Sequence, residues 1–278
     1  VDAAVDPRYQ AEGIYGAMLD HARGSPQASE FDLAWAYSTN PRTRRRSRDQ
    51  DRRELSNPIQ VLEKPYSARA IVVRRREKYG GRLPALLAVL RIKLGTAINR
   101  LEHRPYWRRA KRAWSIATLE RFDERIDECF AQAAKPFDFL AVRSRDYMNW
   151  RYCDPAAGPF TVRAAEQEGR ILGYLVFKVS EGGGYIVDLL ALPGRIDVVR
   201  SLVEDVLDLF RQAAVELVTC WMIARHPYNG ILRRYGFVDS GRDVGFRYRL
   251  VSLDESEVEF LGDPGARIHL MHGDSDWV

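Results

Sequence analysis

Cysteine is scarce in this chain of 278 residues: Cys129, Cys153 and Cys220 are odd in number, far apart and never in a Cys-x-x-Cys pair. That argues against a disulfide framework and against a cysteine zinc site, and favours reduced, structural thiols. Long apolar runs are missing too. The longest, Leu83 to Leu90, falls short of the ~20 residues that a membrane helix needs, and no basic-then-apolar leader precedes it, so no membrane span and a cytoplasmic location are expected. Lysine is the third scarcity, with only residues 64, 78, 93, 111, 135 and 178 among 43 basic side chains. Arginine therefore carries the formal charge of +5. Its planar fork suits phosphate and carboxylate, but acids are interspersed almost everywhere, and the charge by itself indicates no DNA partner. Histidine is sparse as well. His269 and His272, with Asp274 and Asp276, stand in a polar C-terminal stretch without a helix or strand pattern to fix them, and no metal is expected there.

What is present suffices for one large or two modest domains, since 46% of the residues are hydrophobic. At the N-terminus, Val1 to Val5 reads as a strand that Pro7 stops. A Gln-x-x-Gly turn (Gln10, Ala11, Glu12, Gly13) then leads into a helix over Ile14 to Arg23, with Ile14, Met18 and Leu19 as its apolar stripe. Free amides at a helix start, with the dipole behind them, suit a pyrophosphate. Further strands are expected over Phe31 to Tyr37, around Pro58 to Leu62 and around Ala68 to Val73. Between them Arg42, Arg44, Arg45, Arg46, Arg48, Arg52 and Arg53 form a basic, weakly apolar loop.

Residues 74 to 135 carry helical patterns. Leu83, Leu86, Leu87, Leu90, Leu94, Ile98 and Leu101 share one face, and a second run, Trp107 to Ala134, aligns Trp114, Ile116, Leu119, Phe122, Ile126 and Phe130. They predict a helical connector. After Pro136 the pattern becomes strands over Phe160 to Ala165, Arg170 to Val179 and Tyr185 to Leu192, joined by hairpin-like turns at Glu166 to Gly169 and Glu181 to Gly184. A helix follows, burying Val199, Leu202, Val203, Val206, Leu207 and Phe210. Then come a strand (Val215 to Ala224), a short helix through Ile231 and Leu232, the Gly236-Phe237 turn and a strand (Gly245 to Leu250).

Val5, Pro7, Tyr9, Gln10, Gly13 and Ile14 resemble the acyl-CoA pyrophosphate loop of the GNAT (GCN5-related) N-acyltransferase family, Gln/Arg-x-x-Gly-x-Gly/Ala. Tyr15 stands where that family has Gly or Ala, and Gly16 follows one place late. The later strand and helix order, with Tyr235-Gly236-Phe237, resembles a second GNAT domain. Asp146-Tyr147 and Asn149-Trp150-Arg151-Tyr152 resemble tandem GNAT proteins in particular. The resemblance implies an α/β (α+β) fold, a mixed twisted sheet flanked by helices. It divides the chain into the C-terminal half of a first GNAT-like domain (1–73), the connector (74–135), a second domain (136–250) and a tail (251–278). The first domain's earlier strands are expected upstream of Val1.

The resemblance also implies acetyl-CoA or another acyl-CoA as co-substrate, no metal, and an amine acceptor on a small molecule or peptide. Ala3, Val5, Gln10, Ala11, Glu12, Gly13, Ile14, Tyr15, Gly16 and Asn40 are the donor-site candidates. In the second domain only Pro193, Gly194, Arg195 and Ile196 separate the strand from the next helix, too short a loop to wrap a pyrophosphate. Acyl transfer needs a base for the ammonium proton and an acid for the leaving thiolate. The family's usual Tyr falls on Leu232, leaving Tyr228 and Tyr235 as nearby substitutes. Asp188, in the apolar run YIVDLLAL, is read either as a base whose pKa burial raises or as a salt-bridged structural carboxylate. Two other readings stay open. One is a non-catalytic scaffold with decayed domains; the other is a Fem-type transferase with an aminoacyl-tRNA donor, whose RNA binding would be steeply salt-dependent.

Overall fold

A computed structural model describes residues 6–9, 12–25, 30–38, 53–67, 113–181 and 183–275. Ala3, Val5, Gln10, Ala11, Asn40, the basic loop before Arg53, the strand expected over 68–73 and most of the expected connector lie outside the described residues. The chain divides into two compact units, one of residues 1–59, 243–266 and 275–278, the other of residues 60–242 and 267–274.

In the first unit, helix α1 (Ile14–Arg23) follows a 3-10 turn at Pro7–Tyr9. Strand β1 (Leu33–Ser38) pairs antiparallel with the end of β10 (Val238–Leu250), in a register running from Leu33 opposite Leu250 to Ser38 opposite Gly245. The short β2 (Arg53–Glu54) pairs with Arg247 and Tyr248 of the same strand. Tyr37 meets Phe246 edge-on at 5.5 Å between ring centroids, a cross-strand aromatic pair of the kind that fixes register.

The second unit is a mixed sheet with helices against it, the architecture expected from the sequence. Its strands are β3 (Ile59–Pro65), β4 (Ser115–Leu119), β6 (Phe160–Gln167), β7 (Arg170–Ser180), β8 (Gly183–Ala191) and β9 (Leu217–Ile223). They lie in the order β3-β9-β8-β7-β6-β4. Strands β4, β6, β7 and β8 are antiparallel neighbours; β8 and β9 are parallel. The β6–β7 hairpin turns at Glu168 and Gly169, both with positive φ (51° and 76°), the primed geometry that matches strand twist. Helix α4 (Ile196–Gln212) supplies the main apolar face: Val199, Leu202, Val203, Val206 and Phe210 recur at helical spacing and are buried with Leu175, Ile186, Leu189 and Val218 of the sheet. On its outer side Asp205 pairs with Arg163 at 2.7 Å and Glu204 accepts the Tyr235 hydroxyl at 2.8 Å.

One expectation is corrected. The helical reading of Trp107 to Ala134 fails at Ser115–Leu119, which is strand β4 paired with β6; helix α2 covers only Arg125–Ala133. The stripe from Leu119 to Phe130 ran from a strand into a helix by coincidence of spacing. Asp123 marks the break, its carboxylate accepting the Arg125 amide (3.1 Å) and holding the Arg125 guanidinium (2.8 Å), a turn chemistry that competes with continued helix.

Where β7 crosses β8, glycine is required by space. A Cβ on Gly173 would lie 2.7 Å from the Ala191 Cβ and 2.8 Å from the Leu190 carbonyl oxygen. Gly173→Ala is expected to destabilise the fold by about 1–3 kcal/mol, the usual cost of overpacking, read as a lower unfolding midpoint in urea. Gly230→Ala, in helix α5 (Pro227–Arg234) with nothing within 4 Å of its Cβ position, is expected to be neutral or slightly stabilising.

Candidate active site

At the N-terminal candidate loop, Gly13 adopts the left-handed conformation (φ 77°, ψ 1°) as the residue that opens α1, and no side chain caps the helix among the described residues. The first helical amides are therefore those of Ile14, Tyr15 and Gly16. Glu12, Gly13 and Gly16 are exposed, and a Cβ on either glycine would meet nothing within 4 Å. Upstream, Asp6 ties down the 3-10 turn at Pro7–Tyr9, its carboxylate accepting the Arg8 amide and guanidinium at 2.9 Å each.

The second unit contains the other candidates. Parallel pairing of β8 with β9 runs from Gly183 opposite Leu217 to Ile186 opposite Cys220 and stops. Both strands continue, β8 to Ala191 and β9 to Ile223, so they diverge. The β7–β8 register shifts at the same level, between Val176 and Phe177, and the extra residue opposite, Val187, makes a bulge that bends the strand. The short link from β8 to α4 turns at Gly194 (φ 76°). Arg195 there is occupied by Asp197 at 3.0 Å and lies over the Trp114 ring at 4.9 Å.

Asp188 stands at the divergence, fully buried. Arg143, equally buried, donates to it twice, from Nε at 3.2 Å and Nη2 at 3.3 Å. Hydroxyl donors are Tyr174 at 3.0 Å and Tyr152 at 3.4 Å, and the Leu189 amide donates at 2.9 Å. Arg143 Nη2 also reaches both oxygens of Asp274 at 2.9 Å, and Nη1 donates to the Ala141 carbonyl at 2.6 Å. Burial on its own would raise the Asp188 pKa; the Arg143 guanidinium and the hydrogen bonds outweigh it and hold the carboxyl well below the usual carboxylate range. The expectation that burial raises this pKa is thus reversed, and the arrangement matches the alternative of a salt-bridged structural aspartate.

Tyr228, in α5, is buried, and its hydroxyl oxygen accepts the Ala191 amide at 3.3 Å, at the end of β8. Burial pushes this phenol up to about 12, so it keeps its proton at neutral pH. Tyr235 is buried and committed to Glu204. Trp150 and Tyr152 part company: Trp150 is exposed, whereas Tyr152 is buried on Asp188. They lie on a π-turn at Asn149–Cys153, following the short helix α3 (Arg145–Met148), that Asn149 ties down, its side chain exchanging hydrogen bonds of 2.8 Å with the Phe122 amide and carbonyl.

The C-terminal stretch, read from sequence as unanchored, is built into this unit. Ile268–His269 forms β11, parallel to β5 (Phe139–Leu140), and Ile268, His269, Leu270, Met271 and His272 are all buried. His226 Nδ1 accepts the Tyr228 amide at 3.1 Å, which assigns the ring proton to Nε2. That proton is donated to His269 Nδ1 at 3.0 Å, leaving His269 Nε2–H facing Asp188 Oδ1 at 3.8 Å. His272 stacks on Trp221 at 4.1 Å. Arg143 is what sequence reasoning missed, together with the packed arrangement of these histidines, two of which it weighed only as metal ligands. Among the described residues no group of three His, Cys, Asp or Glu is placed to hold a metal ion, and no helix is long and apolar enough to cross a membrane.

No family model matches the sequence, and no curated protein matches it closely enough to serve as a relative. Solved structures do match. A GCN5-related N-acetyltransferase from Anabaena variabilis is 11% identical with a TM-score of 0.54, over 90% of this chain and 53% of its own. A tandem GNAT protein from the clavulanic acid biosynthesis pathway is 13% identical with a TM-score of 0.56, over 90% of this chain and 74% of its own. The chain thus spans about half the length of the first and three quarters of the second. The fold is that of GNAT N-acetyltransferases, tandem GNAT proteins included.

Proposed function

We propose that the chain is an acyl-CoA-dependent N-acyltransferase, using acetyl-CoA or a related acyl-CoA to acylate a primary amine of a small molecule or peptide. In this reading the N-terminal module holds the donor, and the second GNAT-like module, expected over 136–250, takes in β4 as well. The observation that carries it is the opening of α1: a left-handed glycine followed by exposed, uncapped helical amides, the arrangement that binds a pyrophosphate. Glu12, Gly13, Ile14, Tyr15 and Gly16 would present backbone to the phosphates, with Ala3, Val5, Gln10, Ala11 and Asn40 completing the donor site. The surroundings of Asp188 and Tyr228, the two candidate proton-transfer residues, support structural roles for both.

The test is thermal unfolding with acetyl-CoA and then a longer acyl-CoA, since a ligand at 100 times its Kd adds about 2.7 kcal/mol to stability. Gly13→Asp is expected to abolish that shift while the unliganded protein stays folded with a slightly lower midpoint: the site has room for a side chain, the left-handed φ of 77° costs an L-residue about 1–2 kcal/mol and is one that Asp adopts, and the carboxylate repels a phosphate at the helix start. An undiminished shift in the variant would remove the donor site from this loop. A second reading, a non-catalytic GNAT-like scaffold, is favoured by the committed state of Asp188 and Arg195; absence of any shift with either ligand would support it.

A further inference from the structure

We propose that the segment Ile268–Asp274 is the permanent internal ligand of the second module: it fills the cleft where β8 and β9 part, so neither acyl donor nor acceptor enters there. This rests on reading that divergence as the module's counterpart of a GNAT donor cleft. The segment touches both diverging strands. On the β9 side the His272 ring lies flat against Trp221 at 4.1 Å. On the β8 side Gly273 is so close that a Cβ would lie 3.2 Å from Val187 Cγ1, the bulged residue, and 2.0 Å from the Tyr152 hydroxyl. Alternation places Asp188 and Tyr174 on the face away from Leu175 and Leu189, which pack on α4.

That is the face the segment covers. Asp274 is joined through Arg143 to Asp188, Arg151 Nε donates to the Gly273 carbonyl at 3.2 Å, and Met271 N donates to Asp274 Oδ2 at 2.8 Å. At its start, Arg267 binds Asp138 through its amide at 2.8 Å, and β11 adds to β5 as a strand. Anchors therefore sit at both ends and along the middle, and Asp188, Arg143 and Arg151, polar groups that a cleft would offer a substrate, are already spent on the chain itself. Met271 enters the main apolar cluster, so expelling the segment would open the core as well as the cleft. A lid that yields to substrate has few buried contacts; this segment has many.

Hydrogen exchange on the full chain, with and without acetyl-CoA, tests the proposal. Without ligand, 268–274 is expected to exchange as slowly as β8, and acetyl-CoA should leave 187–191 and 221–226 unchanged. Exchange of 268–274 at free-peptide rates, or ligand protection of 187–191 and 221–226, would overturn the proposal. In Gly273→Val, 268–274 and both strand ends should speed up together by at least about tenfold, equivalent to about 1.4 kcal/mol; faster exchange of the segment with the strand ends unmoved would also overturn it. His272→Ala serves if the valine variant does not fold, with the same direction expected. Peptides spanning 6–25 report separately on the N-terminal donor loop, so a failure of that reading appears there and not in the cleft.

Discussion

Arg143→Met is expected to lower the stability of the protein by about 3–5 kcal/mol, the cost of removing one partner from a buried ion pair and leaving the others uncompensated. Its guanidinium is fully buried between Asp188 and Asp274, and two carboxylates facing each other without it must either take up a proton or draw in water. Methionine fills similar volume, so the loss reports on charge rather than on a cavity. Asp188→Asn should cost less, about 2 kcal/mol, because Asp274 still neutralises Arg143 and only charged hydrogen bonds are weakened. Equilibrium urea unfolding followed by tryptophan fluorescence measures both, with Trp221 as a reporter inside the unit. Equal, small losses below about 1 kcal/mol in both variants would mean that the cluster is open to water and that Asp188 is free to titrate.

Asp188 also marks the limit of what the sequence disclosed. Its place in an apolar strand was legible, because alternation and flanking turns identify β8 without tertiary information. Its partner was not: Arg143 lies 45 residues away and Asp274 a further 86 beyond Asp188, and no local pattern couples them. Helix α4, by contrast, carries its whole buried face in one period, and it appears where the spacing put it. Strand β4 was lost because Ile116 and Leu119 fit a helical stripe as well as a strand, and pairing with β6 decides between them. The C-terminal segment was misjudged for a related reason. Its polar composition predicts solvent, but His269, His272 and Asp274 are held by His226, Trp221 and Arg143, three residues brought from separate parts of the sequence. The Gly13 turn was legible because a glycine before an amphipathic run is a local signal, and its left-handed φ follows from the same residue choice.

Acidification should unfold the protein through its buried histidines before it reaches the ordinary carboxylates. Burial, the largest influence, lowers the pKa of His226, His269 and His272; His226 is driven down further by His269, and His272 by Lys178 and Arg151. For His269, Asp188 and Asp274 pull upward and Arg143 downward, and the net direction remains down. A base whose pKa is lower folded than unfolded is protonated first in the unfolded chain. The unfolded state then binds more protons than the native state, and stability falls as pH drops below the unfolded value of about 6.5. His272 is displaced to about 4, so its loss is complete near that pH and amounts to about 3 kcal/mol. The stabilisation from Asp188, whose carboxyl is held low, persists through this window and is lost only below the usual carboxylate range. Urea midpoints should therefore be flat from about pH 8 to 7 and fall steadily from about pH 6.5 to 4.5, and His272→Phe, which keeps a ring against Trp221, should flatten the fall. A profile that holds level to about pH 5 would mean that these rings are hydrated and that the segment carrying His269 and His272 does not stay packed in the cleft.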